Sequence, residues 1–117
     1  ARAGCVINIS SVIGLMGGGG QTNYAAAKAG VTSFTRACAA EMSGRGIRFN
    51  AILPGMIETD MSEAVRKHAR DKVMERIPSK RFGQPEDVAS VVIFLASPAA
   101  DYINGEAIIV DGGMHIG

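Results

Sequence analysis

The chain has 117 residues, enough for one domain, and 47% of them are hydrophobic, which excludes a disordered segment and permits a buried core. Twelve basic against eleven acidic residues leave a net charge of +1, so the basic excess that would neutralise nucleic-acid phosphates is missing and no nucleic-acid partner is expected. No apolar run approaches the roughly 18 residues that cross a bilayer and no signal-peptide pattern opens the chain, so the expected setting is aqueous and reducing, the cytoplasm or an organelle matrix.

Ala1-Arg2-Ala3-Gly4 lacks an initiator Met and runs almost directly into the apolar Cys5-Val6-Ile7-Asn8-Ile9, as if an earlier part of a sheet lay upstream. Residues 4 to 10 read as a short buried strand ending in serines, which suits a parallel sheet covered on both faces. Gly14 and the run Gly17 to Gly20 are expected to break regular structure. The glycine run lacks G-x-G-x-x-G spacing and a following Lys-Ser/Thr pair, so it reads as a flexible loop near a substrate mouth rather than a phosphate cradle. Thr22 or Asn23 can cap a helix that continues to about Met42, with Gly44 and Gly46 as its stop. Ala25, Ala26, Ala27, Ala29, Val31, Phe34, Ala37, Ala39 and Ala40 make its apolar surface too broad for one buried stripe, which predicts a partner helix.

Arg48 to Leu53 reads as a second strand, interrupted at Pro54-Gly55. Ser62 to Arg76 reads as an amphipathic or partly exposed helical segment with many charges, expected to be mobile. Gly83-Gln84-Pro85-Glu86-Asp87 announces another helix, since Pro suits the first turn and acids there complement the positive end of the dipole. Val88, Val91, Val92, Phe94 and Leu95 supply its buried face, and Ala107 to Val110 form a last strand before Asp111-Gly112-Gly113. The order β-α-β-α-β over residues 1–117 predicts a single α/β domain, a parallel sheet with flanking helices. Cys5 and Cys38 lack metal-site spacing and are expected to be reduced core residues.

Ligands of open parallel sheets sit at the carboxyl ends of the strands, where Ser11 and Pro54-Gly55 fall. Tyr24 and Lys28 are four residues apart near the start of the first long helix, so they project from one face about 5.4 Å apart along the axis. A phenol with an ordinary pKa near 10 is a weak acid at neutral pH. A cation about 5 Å away, at an effective dielectric near 20, favours the phenolate by roughly 3 kcal/mol. Ser11, Tyr24 and Lys28 are thus candidates for proton transfer to a carbonyl, with Ser11 bonding the oxygen where charge develops.

Asn50 reads as a structural amide tying loops together. His68 and His115 have no ligand partner at helical spacing, so no transition metal is expected and a surface or terminal place is. Glu58 and Asp60 read as solvated or capping carboxylates. Met56, Met61 and Met74 could pack a mobile lid over an apolar substrate or fill core.

Several ordered motifs together resemble the short-chain dehydrogenase/reductase family: Ile9-Ser10-Ser11, the thirteen-residue step from Ser11 to Tyr24, Tyr24-Ala25-Ala26-Ala27-Lys28-Ala29-Gly30, Asn50, Pro54-Gly55 and Thr59. Arg81 to Ala89, Phe94-Leu95-Ala96-Ser97 and Asp111-Gly112-Gly113 resemble its C-terminal segments. The resemblance implies the C-terminal half of a Rossmann-like fold and reduction of a ketone with a nicotinamide cofactor, NADP or alternatively NAD. It implies that Tyr24 donates the proton, Ser11 holds the carbonyl, and Lys28 also bonds the nicotinamide ribose. Pro54, Gly55, Ile57 and Thr59 would line the nicotinamide side. Asn23 to Gly30 and Pro54 to Met61 are most similar to the branch that reduces 3-oxoacyl thioesters on acyl carrier protein in fatty-acid synthesis. Steroid, sugar or small-alcohol dehydrogenases are the alternative, as is a non-catalytic interaction fragment. Homo-oligomers, commonly tetramers, are implied too. The family's glycine-rich pyrophosphate turn, adenosine-ribose selector and tetrad Asn have no counterpart in the sequence.

Overall fold

The computed structural model describes residues 3–117, so the expected lead-in at the first two residues lies outside the described part. One parallel sheet has the order β1 (Gly4–Ile9), β2 (Ile47–Pro54), β3 (Ala107–Val110), with Ile7 opposite Asn50 and Ile52 opposite Ile108. Side chains alternate along a strand, so Asn50 and Ile52 point to one face of β2 and Ala51 and Leu53 to the other. Ile52, Leu95 and Ala100 form a fully buried cluster, joined by Ile7, Val88, Val91, Val92 and Ile108, and this cluster seats helix α5 (Pro85–Ala96) on the first face. On the opposite face Asn8 donates to Thr35 Oγ1 at 2.9 Å, which ties β1 to helix α2 (Thr22–Met42). Helices therefore cover both faces of a parallel sheet, the layered α/β arrangement that the strand and helix order predicts.

α5 begins as expected, with Pro85 in its first turn and a reciprocal cap between Gln84 and Asp87. Arg81 adds two hydrogen bonds to the Asp87 carboxylate, at 2.8 and 3.1 Å. α2 keeps its predicted length but not its predicted cap. Thr22 is already helical, Gln21 precedes it, and no side chain caps the N-terminus. At the other end a single 3-10 turn, Ser43–Arg45, leads into Gly46, whose φ of 69° is the left-handed stop that favours glycine. Only Thr35 and Ala39 of α2 are buried, and Ala26, Ala27, Phe34, Ala37 and Ala40 stay exposed, so the broad apolar surface is real and mostly uncovered.

Two segments differ from expectation. The stretch after Ser11 holds a one-turn helix, α1 (Ile13–Met16), that packs on the first turns of α2. Gly14 sits inside it because a Cβ there would lie 2.7 Å from the Ala29 backbone nitrogen: the glycine allows close approach instead of breaking structure. The charged segment is also not one helix. A 3-10 turn, Asp60–Ser62, is followed by α3 (Glu63–His68) and α4 (Arg70–Glu75), separated at Ala69, whose φ of −125° leaves the helical region. Neither piece contains a buried residue, so no packed face holds the two in register.

Asn50 is wholly buried and bonds as its sequence reading expects: it donates to the Ile103 carbonyl at 3.0 Å and accepts from the Glu106 N–H at 2.9 Å. Cys5 and Cys38 are free thiols, but both are half-buried rather than core. Among the described residues no helix is long and apolar enough to cross a membrane.

Candidate active site

β1 and β2 end side by side: the Ser10 N–H bonds the Ile52 carbonyl at 2.8 Å and the Val12 N–H bonds the Pro54 carbonyl at 3.1 Å. Beyond these strand ends lies an open cleft of about 860 Å³, and Ser11, Tyr24, Lys28, Pro54, Gly55, Ile57 and Thr59 all line it. Seven residues spread over 49 positions of sequence, from 11 to 59, thus reach one space.

The fixed side of this cleft rests on hydroxyl contacts. Ser10, 3% exposed, donates to the Lys28 carbonyl at 2.6 Å and accepts from Thr32 Oγ1 at 3.0 Å, which clamps the second turn of α2 to the end of β1. In the sequence Ser10 stands only within the motif Ile9-Ser10-Ser11, without a role of its own. The paired serines were the available signal, since a strand sends neighbours to opposite sides and one of two hydroxyls can anchor while the other faces ligand. Ser11, 7% exposed, accepts the Ile13 N–H at 3.1 Å, and among the described residues its own proton has no acceptor. It is therefore oriented by α1 and retains a free O–H for a ligand oxygen.

Tyr24 and Lys28 lie on one face of α2, with Lys28 Nζ 5.6 Å from the Tyr24 ring centroid. Among the described residues Lys28 Nζ makes one long hydrogen bond, 3.5 Å to the Ile9 carbonyl, so the ammonium keeps donors for a ligand in the cleft. Tyr24 is 47% exposed, so its ring is open to the cleft.

The other side comes from the segment after β2. Gly55 passes so close to Asp111 that a Cβ would stand 2.9 Å from the Asp111 Cα, a constraint beyond the lining role expected for it. Asp111, with its side chain 3% exposed, accepts from the Gly113 N–H, the His115 N–H and His115 Nδ1, each at 2.8 Å. His115 thus has the terminal place expected for it, but half-buried and paired. Its ring fixes the final turn, Met114–Ile116, and Met114 enters the cleft. His68 is exposed, as expected.

Thr59 caps the turn that follows it, accepting the Ser62 N–H at 3.3 Å while Ser62 Oγ accepts the Thr59 N–H at 3.1 Å. Glu58 is paired rather than solvated: Gln84 Nε2 donates to it and Arg66 Nη1 lies 4.0 Å away. Asp60 is exposed, in the first turn after the Thr59 cap. Met56 and Met61 line the cleft and Met61 is 95% exposed, whereas Met74 lies half-buried on α4, away from it. Of the glycine run only Gly20 lines the cleft; it and Gly17 have positive φ of 76° and 74°. With Ile9, Val12, Ile13, Ile57 and Val65 also present, the lining is mainly apolar around a few polar groups.

A family model described as enoyl-(acyl carrier protein) reductase matches residues 1–115. The 3-oxoacyl-[acyl-carrier-protein] reductases FabG of Vibrio harveyi and Thermotoga maritima are each 51% identical over 115 residues, covering 98% of this chain and 47% of each relative. A crystal structure described as a 2-deoxy-D-gluconate 3-dehydrogenase from Agrobacterium tumefaciens with bound NADP superposes with a TM-score of 0.93 at 45% identity, over 96% of this chain and 46% of that one. A Brucella melitensis short-chain dehydrogenase/reductase, described as a glucose/ribitol dehydrogenase, gives a TM-score of 0.91 at 36% identity over 97% and 46%. The chain spans about half the length of the curated relatives it matches.

Proposed function

The chain belongs to the short-chain dehydrogenase/reductase family, and from that premise we propose that residues 1–117 are the catalytic half of an NADP-dependent ketone reductase acting on 3-oxoacyl thioesters of acyl carrier protein. The observation that carries this reading is the meeting of Ser11, Tyr24 and Lys28 on one mainly apolar cleft, with the Ser11 proton and the Lys28 donors unused. NADP is favoured over NAD because a structural relative at 45% identity holds it.

The residues present suit the nicotinamide end of such a cofactor. Lys28 has ammonium donors for ribose hydroxyls, while Pro54, Gly55, Ile57 and Thr59 offer a mixed apolar and polar strip for a flat amide-bearing ring. When bound, the cofactor supplies the hydride. Ser11 donates its free proton in a hydrogen bond to the ketone oxygen and holds it beside Tyr24. Tyr24 delivers the phenolic proton to that oxygen as the alcohol forms, and the Lys28 cation stabilises the phenolate left behind. The apolar lining accepts the acyl chain and removes water from around the reacting groups, which strengthens the Lys28 contribution.

A hydroxyl and a phenol on one cleft suit protonation of the oxygen on which carbonyl reduction develops charge. The aqueous cytoplasm or an organelle matrix is the proposed location. The exposed apolar residues of α2 support assembly into a homo-oligomer, a tetramer in the complete enzyme, and sedimentation at high concentration tests that.

The deciding experiment mixes the complete protein with NADPH and a 3-oxoacyl thioester. Thioester-dependent loss of NADPH with formation of the 3-hydroxyacyl product is expected. Oxidation of sugars without thioester reduction, or turnover of 2-enoyl thioesters alone, overturns the substrate assignment.

A further inference from the structure

Arg66, on the first helix of the charged segment, has no part in proton transfer, yet its guanidinium reaches back across the turn that borders the cleft. Its Nε donates to Ser62 Oγ at 2.9 Å and its Nη2 donates to the Thr59 carbonyl at 3.0 Å. Ser62 Oγ in turn donates to the Ile57 carbonyl at 2.6 Å. Ile57 and Thr59 line the cleft on one side of this turn, and Met61, Ser62 and Val65 line it on the other. The remaining nitrogen, Nη1, faces Glu58 at 4.0 Å, and Glu58 also accepts from Gln84 at the start of α5. The Arg66 side chain is only 20% exposed, so these contacts are sheltered from water more than an ordinary surface pair.

α3 has no fully buried residue, and Val65, its one apolar side chain at the cleft, is 47% exposed, so packing holds it only weakly there. What joins it is polar. The Nε and Nη2 edge of one guanidinium spans a hydroxyl and a carbonyl at once, a two-pronged geometry that a lysine ammonium cannot copy. We propose that Arg66 is a positioning residue: it couples α3 to the strip Ile57–Thr59, so that covering the cleft and placing the cofactor-side strip are one movement. This rests on the proposed cofactor role of that strip. Glu58 extends the coupling to α5, which is anchored to the sheet through Leu95 and so gives the movement a fixed base.

The test compares wild type with Arg66→Gln and Arg66→Lys in the complete protein, using amide hydrogen exchange without cofactor and titration with NADPH. Exchange at residues 59–62 is expected to quicken in both variants. The NADPH dissociation constant is expected to rise about tenfold in Arg66→Gln, the scale of losing one hydrogen bond from a charged group, with little rescue by Lys. The melting temperature, set by the Ile52 and Leu95 core, is expected to stay nearly constant. Unchanged exchange at 59–62 overturns the coupling whether or not the wild type binds NADPH. Faster exchange with unaltered NADPH affinity, or full rescue by Lys, overturns the positioning role. A wild type that binds no NADPH while the variants exchange faster refutes the cofactor reading and leaves the clasp established as structural alone.

Discussion

Along one side of the cleft Ser10, Ser11 and Val12 are at most 7% exposed, and a 21-residue helix carries Tyr24 and Lys28; across from them Met61 is 95% exposed at the entry to two helices of six residues each. The first side is held by sheet, buried hydroxyls and close helix contacts. The second is held by a cap, a guanidinium fork and paired charges. Proton transfer requires sub-ångström placement, which regular buried elements can supply, whereas ligand entry requires a border that can open. The residues proposed for the chemistry therefore sit on the rigid side and the adjustable contacts sit opposite.

Breaking the chemistry without touching the scaffold gives the largest effect. Tyr24→Phe removes the phenol proposed as proton donor from a half-exposed position, and turnover of the complete enzyme is expected to fall by more than about a thousandfold with an unchanged melting temperature. Stopped-assay product measurement checks this, and retained turnover would remove Tyr24 from its role. Gly55→Ala attacks the junction of the two sides. The new Cβ meets the Asp111 backbone at 2.9 Å, so destabilisation of about 2 kcal/mol is expected, together with displacement of Met114, read by denaturant unfolding.

Ser10→Ala loosens only the rigid side. The Lys28 carbonyl keeps Thr32 Oγ1 at 3.3 Å as a partner, so a loss of about 1 kcal/mol is expected, with turnover falling because the α2 face carrying Tyr24 is no longer clamped. The smallest effect concerns acid stability at the base of the adjustable side. The Arg81 guanidinium, and then the Gln84 N–H, hold the Asp87 carboxyl down at about 2 from an ordinary 3.8. A carboxyl held below its unfolded value contributes stability that is complete above about pH 4 and is lost as pH falls toward 2. Urea midpoints of wild type and Asp87→Asn are therefore expected to differ at pH 7 and to converge near pH 2. A constant difference across that range would detach the cap from its charge.

How much of this was legible beforehand follows the same division. β1, α2, β2, α5 and β3 were readable because an apolar run, a helical stretch between glycines and a Pro-Glu-Asp start are local signals that tertiary packing here reinforces. That Ser11, Tyr24 and Lys28 reach one cleft was readable because Tyr24 and Lys28 share a helix face and Ser11 follows a strand. α1 was not, since Gly14 looks like a breaker until the neighbouring helix that it must touch is in place. Nor was the split at Ala69: the segment's charges allow helix on either side, and nothing in its own sequence shows that no buried face keeps the pieces aligned.

By itself, then, the sequence determined the α/β order, the parallel sheet and the identity of the proton-transfer candidates, because periodicity, turn chemistry and helical spacing act within a few residues of each other. Only the tertiary structure decided that Gly55 must pass the Asp111 backbone, that Ser10 anchors while Ser11 keeps a free proton, that His115 locks the last turn, and that Arg66 grips the turn beside the cleft. These are contacts whose energy depends on distances between segments brought together by the sheet, and residue type alone does not carry such distances.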